Sequence, residues 1–454
     1  LSEALTINIP VSLLSLSPTY LCRHMTNSTS LSYRDKQVIW HPFTPQKYMP
    51  EPIPIVKGDG VHLTDMNGKS YIDAISSWWV TLHGHAHPHI AERLYQQART
   101  LEQVIFAGFT HEPAVALAEN LLRLLPGNFT RIFYSDDGST STEVAIKMAL
   151  QYWWNKGEKQ RNKVIALRNA YHGDTFGAMS VSDRSVFTQA FREKLFEVVF
   201  IDAPADAGID AALPGIAYNE VACFIYEPLV QGAGGMVMYD AQGLDNLLQA
   251  FHQHHIICIA DEVMTGFGRT GKLFASEYLM EKPDIICLSK GLTGGTLPLG
   301  VTACTDTIYQ AFHSEDKLKT FFHGHSFTAN PLACAAALAS LELLQQPSCL
   351  EQINTITAHN RQFAAQLKAD PSLAHAVKNV RSLGTILAFE VITGSDGYLN
   401  SISTDITRSA LEKGVYLRPL GNTVYIMPPY CITVQQLQLL YDVIREIVAG
   451  IAAK

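Results

Sequence analysis

The chain reads as an α/β protein, with a large domain on a mostly parallel central sheet and a smaller α+β domain. Three observations predict this. Between residues 130 and 310 short apolar runs alternate with helical stretches. Several of these runs are apolar on both faces, as strands are when helices cover both sides of a parallel sheet. After residue 345 the pattern changes to a polar helical stretch followed by short paired strands. A chain of 454 residues, 47% hydrophobic and 17% charged, can fill cores of that size.

Residues 1–24 start without Met and carry VSLLSL ahead of Met25, with Glu3 where a secretory signal would be basic. Met25 is therefore expected to be the natural start, and 1–24 a non-native or disordered extension. Residues 25–80 are expected to pack with the small domain, and GVHLTDMNGKSYIDA reads as a hairpin turning at Asn67-Gly68. The large domain is expected over 81–344 and the small one over 345–454. Within the large domain, RIFYS (131–135) leads through DDGST (136–140) into a helix where Val144, Met148 and Tyr152 recur every four residues. KVIAL (163–167), FEVVFI (196–201), ACFIY (222–226), IICIADEV (256–263), DIICLSK (284–290) and VTAC (301–304) continue the strand series. The Ala-rich stretch 329–344 reads as a helix with Pro331 in its first turn, where a missing N–H costs little. ILAFEV (386–391) and VYLRPLGNTVYIMPP supply strands to the small domain.

A net charge of −8 without a Lys/Arg cluster argues against nucleic acid. No segment has the roughly 18 apolar residues needed to cross a bilayer, so a cytoplasmic location is expected. There are eight cysteines and no CxxC pair. Cys223, Cys258, Cys287 and Cys304 lie in apolar runs and read as reduced core thiols. HGHAHPH (83–89) places His at four alternate positions, but Pro88 starts a helix and no carboxylate or Cys stands nearby. No metal is expected.

Two apolar strands end in chemically active side chains, Asp261 and Lys290, 29 positions apart, room for one crossover between parallel strands. Open α/β sheets bind ligands beyond the carboxyl ends of their strands. A lysine there can form a Schiff base with an aldehyde, and an Asp can pair with a protonated pyridine nitrogen. This is the arrangement of a pyridoxal phosphate (PLP) site. In DDGST, Gly138 permits close backbone approach and Ser139 can cap the helix whose free N–H groups attract a phosphate; an ordinary capped loop is the plainer alternative. Tyr171, after KVIAL, either stacks on a planar cofactor or, like most aromatics beside a strand end, fills a core, and Trp78 and Trp79 line a pocket or fill a core. GFGRTG (266–271) matches a dinucleotide fingerprint, which keeps a nicotinamide oxidoreductase as an alternative. Five residues, however, separate its first Gly from the strand, and the stretch after it is short for a helix.

AYHGD, EPLVQGAGG, ADEVMTGFGRTGKLFA and SKGLTGG resemble class III aminotransferases, PLP enzymes of fold type I, from about Asp35 to the C-terminus. Within the family IWHPFT, SSWW, QGAGGM, HGHSFTANPLACAAALAS and RPLGNTVYIMPPY are most similar to one biotin-pathway branch. That branch aminates 7-keto-8-aminopelargonic acid, normally with S-adenosylmethionine as donor. The resemblance implies a homodimer with shared active sites acting on small molecules. It implies that Lys290 carries the cofactor and shuttles a proton, that Asp261 holds the ring nitrogen protonated, and that Gly138 and Ser139 bind the phosphate. It further implies that Tyr171 stacks on the ring and that Trp78 and Phe43 line the substrate pocket. The same resemblance implies that Gly324 lies beside substrate, that His325 and Ser326 reach the phosphate across the dimer, and that Arg418 pairs with the keto-acid carboxylate. Phe43 stands where S-adenosylmethionine-using members commonly have Tyr. HGHS and PFT resemble a subgroup that takes lysine, whereas Trp78 and PLACAA resemble the S-adenosylmethionine type, so both donors stay open. Another ω-amino acid or diamine transaminase is the rival within the family.

Overall fold

The computed structural model describes residues 30–204, 215, 217–393 and 397–452. The expectation for residues 1–24 lies outside them. The chain divides into two compact units, one of residues up to 57 with 63–70, the other of 58–62 with 71–454.

In the first unit the helix Leu31–Val38 starts at Ser30, whose hydroxyl accepts the Tyr33 N–H. Ser32 Oγ donates to the Pro52 carbonyl at 2.8 Å. Asp65 makes the expected turn: its carboxylate accepts the N–H groups of Asn67 and Lys69, both at 2.9 Å. Gly68 takes the φ of +82° that the turn needs and that a side chain would resist.

The second unit holds a seven-stranded sheet: β1 (Phe129–Ser135), β2 (Lys163–Leu167), β3 (Val198–Ile201), β4 (Val221–Tyr226), β5 (Ile257–Asp261), β6 (Ile285–Leu288) and β7 (Gly300–Thr305). Their order is β1-β7-β6-β5-β4-β2-β3. β7 runs antiparallel to both neighbours, and the other pairs are parallel. Every residue of β4, β5 and β6 is buried, which is why these strands read as unbroken apolar runs. Cys223, Cys258, Cys287 and Cys304 are buried and unpaired.

The β5–β6 connection is mostly loop, its one regular piece being the 3₁₀ turn Ala275–Tyr278. Buried Glu262 staples it by accepting the Ala275 N–H at 2.8 Å and the Ser276 N–H at 2.7 Å, while Thr265 Oγ1 donates at 3.2 Å. Burial pushes the Glu262 pKa up, and these hydrogen bonds oppose the rise.

Three helices matter for the site. Gly138–Asn155 follows β1, and its N-cap is Asp137, not Ser139 as expected. The chain leaves extended geometry at Asp137, whose carboxylate accepts the Thr140 N–H at 2.8 Å; the Asp137 N–H donates back to Thr140 Oγ1 at 2.9 Å. Pro331–Leu344 has Pro331 in its first turn, and the Asn330 side chain accepts the Ala333 N–H at 3.0 Å. Its Ala336 and Ala339 pack on Ile90 of the helix Pro88–Ala98. The histidines of HGHAHPH point to different partners: His83 meets Ser340 Oγ at 3.1 Å, His85 meets Asp73 at 3.0 Å and His89 meets Glu342 at 2.7 Å.

Beyond residue 345 come the helix Pro347–Ala369, an antiparallel sheet of Val377–Leu383, Ile386–Val391 and Thr423–Ile426, and the helices Ile402–Glu412 and Val434–Ala452. The short strand Val415–Tyr416 pairs in parallel with Ile72 and Asp73. Among the described residues no helix is long and apolar enough to cross a membrane.

Candidate active site

The carboxyl ends of β4, β5 and β6 deliver three ionisable side chains to one place. Asp261 closes β5 and is 4% exposed. One of its oxygens accepts the Val263 N–H at 3.0 Å, and the other meets His172 Nδ1 at 2.6 Å. His172 follows β2 and is itself fixed by its N–H, which donates to Ser182 Oγ at 2.8 Å. Sequence reasoning missed His172, although AYHGD shows it next to Tyr171. Among the described residues its Nε2 is buried without a partner.

Glu227, also missed, stands directly after β4. It accepts the Tyr171 N–H at 3.2 Å and the Gly232 N–H at 2.9 Å. Burial raises its pKa to about 7; the charge of Asp261 adds to the rise, and His172 and the two backbone N–H groups oppose it.

Lys290 begins a 3₁₀ turn just past β6. Its φ of +45° is a conformation that non-glycine residues seldom adopt, and such strain collects at functional sites. Its Nζ lies 5.1 Å from the centre of the Trp79 ring. Burial is the largest influence on this amine and lowers its pKa; the charges of Asp261 and Glu227 pull it back up. Burial therefore shifts this lysine toward the neutral amine, the form that attacks an aldehyde.

One wall is the segment SSWW, bent through positive φ at Ser76, Ser77 and Trp79. Asp73 enforces the bend by accepting the N–H groups of Ile75 at 3.1 Å and Ser77 at 2.6 Å. The two tryptophans part company there. Trp79 is 5% exposed and its Nε1–H donates to Tyr425 Oη at 2.9 Å, while Trp78 is half-buried and lies 4.5 Å under the Arg418 guanidinium. Behind them Arg269, 1% exposed, donates to the carbonyls of Trp79, Thr81 and Pro428. This arginine belongs to GFGRTG, whose Gly268 and Gly271 turn the chain with φ near +97° and +98°. Only the four-residue 3₁₀ turn Ala275–Tyr278 follows that motif, not an α-helix whose N-terminus could receive a pyrophosphate, which removes the physical basis of the nicotinamide reading.

Tyr171 lines a cleft and stands edge-on to Phe187 with ring centres 6.2 Å apart. Its phenol pKa is raised, first by burial and then by Asp174, Asp261 and Glu227. At the other end, Gly138 and Ser139 occupy the first turn of an 18-residue helix, whose leading N–H groups have no partner within it. Gly138 is required by packing, since a Cβ there would meet Val263 Cγ1 at 2.7 Å. Ser139 Oγ accepts the Asp174 N–H at 3.1 Å. His325 Nδ1 lies 3.2 Å from Asp136, beside this turn. Gly324 and Ser326 are exposed, and the Ser326 carbonyl accepts from Gln103 at 2.7 Å. Phe43 sits in the first unit, 41% exposed, at φ +51°.

An amine of lowered pKa, a buried carboxylate backed by a histidine, an aromatic flank and a helix N-terminus form a donor set that fits PLP: aldehyde, pyridine nitrogen, ring and phosphate each meet a suitable group. The family model described as Aminotransferase class-III matches residues 43–448. The chain belongs to the class-III aminotransferases. Among proteins similar to this aminotransferase is the adenosylmethionine-8-amino-7-oxononanoate aminotransferase of Synechococcus elongatus, 48% identical over 422 residues, covering 90% of this chain and 98% of that one. The crystal structure of the enzyme of that name from Methanocaldococcus jannaschii is 36% identical, with TM-score 0.88, covering 92% of this chain and 98% of that one. A PLP-bound amine transaminase from an uncultivated Pseudomonas species is 29% identical, with TM-score 0.82, covering 91% and 98%.

Proposed function

We propose that this class-III aminotransferase converts 7-keto-8-aminopelargonic acid to 7,8-diaminopelargonic acid in biotin synthesis, with S-adenosylmethionine as amino donor. It does so as a cytoplasmic homodimer, with 81–344 as the PLP-binding domain and 345–454 as the small domain. The observation that carries the substrate reading is Arg418 laid over Trp78 at 4.5 Å, one residue from the Trp79 ring that faces Lys290. A guanidinium there presents its planar fork to a carboxylate, and Trp78 offers an apolar face to an alkyl chain.

When bound, PLP supplies an electron sink for the carbon that carries the transferred amine. The chain supplies the rest. Asp261, oriented by His172 and the Val263 N–H, holds a proton on the cofactor's ring nitrogen. Lys290, its pKa lowered by burial, gives and takes the proton at its Nζ. Gly138 and Ser139 N–H groups hold the phosphate, with the partner subunit's His325 and the partner subunit's Ser326 completing it and the partner subunit's Gly324 beside substrate. Tyr171 flanks the ring, and burial keeps its phenol protonated as a hydrogen-bond donor.

A half-reaction decides the donor. Cofactor-loaded enzyme is mixed separately with S-adenosylmethionine and with lysine, and the visible band of the cofactor is followed. Bleaching by S-adenosylmethionine is expected. Bleaching by lysine alone would overturn that choice in favour of the second reading, which the Phe43 ring and the HGHS sequence support.

A further inference from the structure

The opposite end of the sheet holds a group of side chains that the transamination does not use. His252 ends the helix Ala241–Gln253, Cys258 lies near the start of β5, and Asp284 immediately precedes β6. One ligand atom from each lies within 4.8 Å of the others. No CxxC or HxxxH spacing announces them, because a fold and not a sequence motif brings them together. The histidine is held as metal-ligating histidines are: Nδ1 lies 3.0 Å from the Glu281 carboxylate, which fixes the ring and turns Nε2 inward.

Nε2 pairs with Asp284 Oδ2 at 3.5 Å, a contact too long for a good hydrogen bond, and that same oxygen accepts the Cys258 N–H at 2.8 Å, which ties the carboxylate to the cysteine. With Nδ1–H donating to Glu281, a lone pair on Nε2 points at a carboxylate lone pair. Such an arrangement needs a positive centre between the two atoms. A proton can serve, and the Asp284 and Glu281 carboxylates do raise the His252 pKa. A divalent metal can serve as well, and by taking Cys258 as a thiolate it would offset the burial and the Asp284 charge that hold this thiol protonated, releasing its proton to solvent.

A cleft of about 510 Å³ opens on His252 and Asp284 and gives access to an ion and its water. The cations of that cleft are engaged elsewhere. The Arg161 guanidinium lies 4.2 Å over Trp153 and pairs with Glu158, and Lys156 lies 5.5 Å over Tyr152.

We propose that His252, Cys258 and Asp284 bind one Zn²⁺ per chain, with a water from the cleft as fourth ligand and Glu281 orienting the histidine. One nitrogen, one sulfur and one oxygen ligand suit zinc or cobalt over calcium or magnesium. The ion ties the end of a helix to the starts of two central strands, at the far end of the sheet from Lys290, so its role is structural. Its loss is not expected to affect the chemistry directly.

The test uses PLP-loaded enzyme stripped with a chelator and titrated with Co²⁺, then with Zn²⁺. The expected result is one equivalent of tightly bound Co²⁺ with intense tetrahedral d–d bands, at longer wavelength than any cofactor band, and a rise in Tm when Zn²⁺ replaces it. His252→Gln should lose the bands and the Tm response while keeping the cofactor's visible band, which shows that the variant is folded. Cys258→Ser should weaken the bands and shift them. Absence of bands in the wild type, or bands and Tm response kept in His252→Gln, would overturn the site and leave His252 as a protonated partner of two carboxylates.

Discussion

Asp261→Asn is the substitution that the geometry constrains most tightly. The amide has the same shape, so its oxygen can keep the Val263 N–H bond now 3.0 Å long, and the strand end should stay in place. What is lost is a negative charge in a site that is 4% exposed, opposite the place of a protonated ring nitrogen. Removing one partner of a buried ion pair costs ~3–5 kcal/mol. At 1.36 kcal/mol per tenfold, turnover falls by about 10²- to 10⁴-fold. The assay is single-turnover amine transfer by cofactor-loaded enzyme, followed on the cofactor's visible band, with cofactor content measured in parallel. A second readout comes from the cofactor-free protein. There Asp261 is the foremost charge opposing the effect of burial on Lys290, so its removal should lower the Lys290 pKa further and speed alkylation of that amine at a given pH. Turnover within tenfold of wild type at normal cofactor content would refute the assignment of Asp261.

Arg418→Ala should raise KM for the keto acid by about 10- to 100-fold, the equivalent of a charge-assisted hydrogen bond of ~1.5–3 kcal/mol. The donor half-reaction should be far less affected, and an unchanged KM for the keto acid would remove Arg418 from its role. His83 should shape the acid limb of stability. Burial lowers its pKa to about 3, so it is neutral in the fold but charges in the unfolded chain below about 6.5. Its contribution is present above that pH and is lost as pH falls toward 3, amounting to at most ~4–5 kcal/mol. His83→Gln should flatten Tm against pH over that window, and an unaltered acid limb would count against it.

Much of the fold was legible because burial on both faces leaves a plain mark: ACFIY, IICIAD and IICL had no alternation to confuse them, and a charged residue closing such a run located Asp261 and Lys290. The same signal is present in Glu227, which directly follows ACFIY. His172 carried no periodic signal; only folding brings the loop after β2 to the end of β5. Asp137 and Ser139 are both good caps by type, and the choice between them depends on where the backbone leaves extended geometry, which composition does not encode. GFGRTG misled because glycines that serve tight turns beside a buried arginine look the same in sequence as glycines that cradle a phosphate. The distribution of Trp78 and Trp79 between pocket and core followed from a strained bend that Asp73 enforces from three residues upstream. His252, Cys258 and Asp284 are too scattered along the chain for any spacing rule to connect them.

The most direct test of the central claim is chemical. Cofactor-loaded protein is reduced with borohydride, digested, and its peptides are weighed. The account predicts one pyridoxyl group per chain, on the peptide containing Lys290, and no visible cofactor band in Lys290→Ala. A label on a different lysine, or an unlabelled chain that still transfers amines, would contradict it.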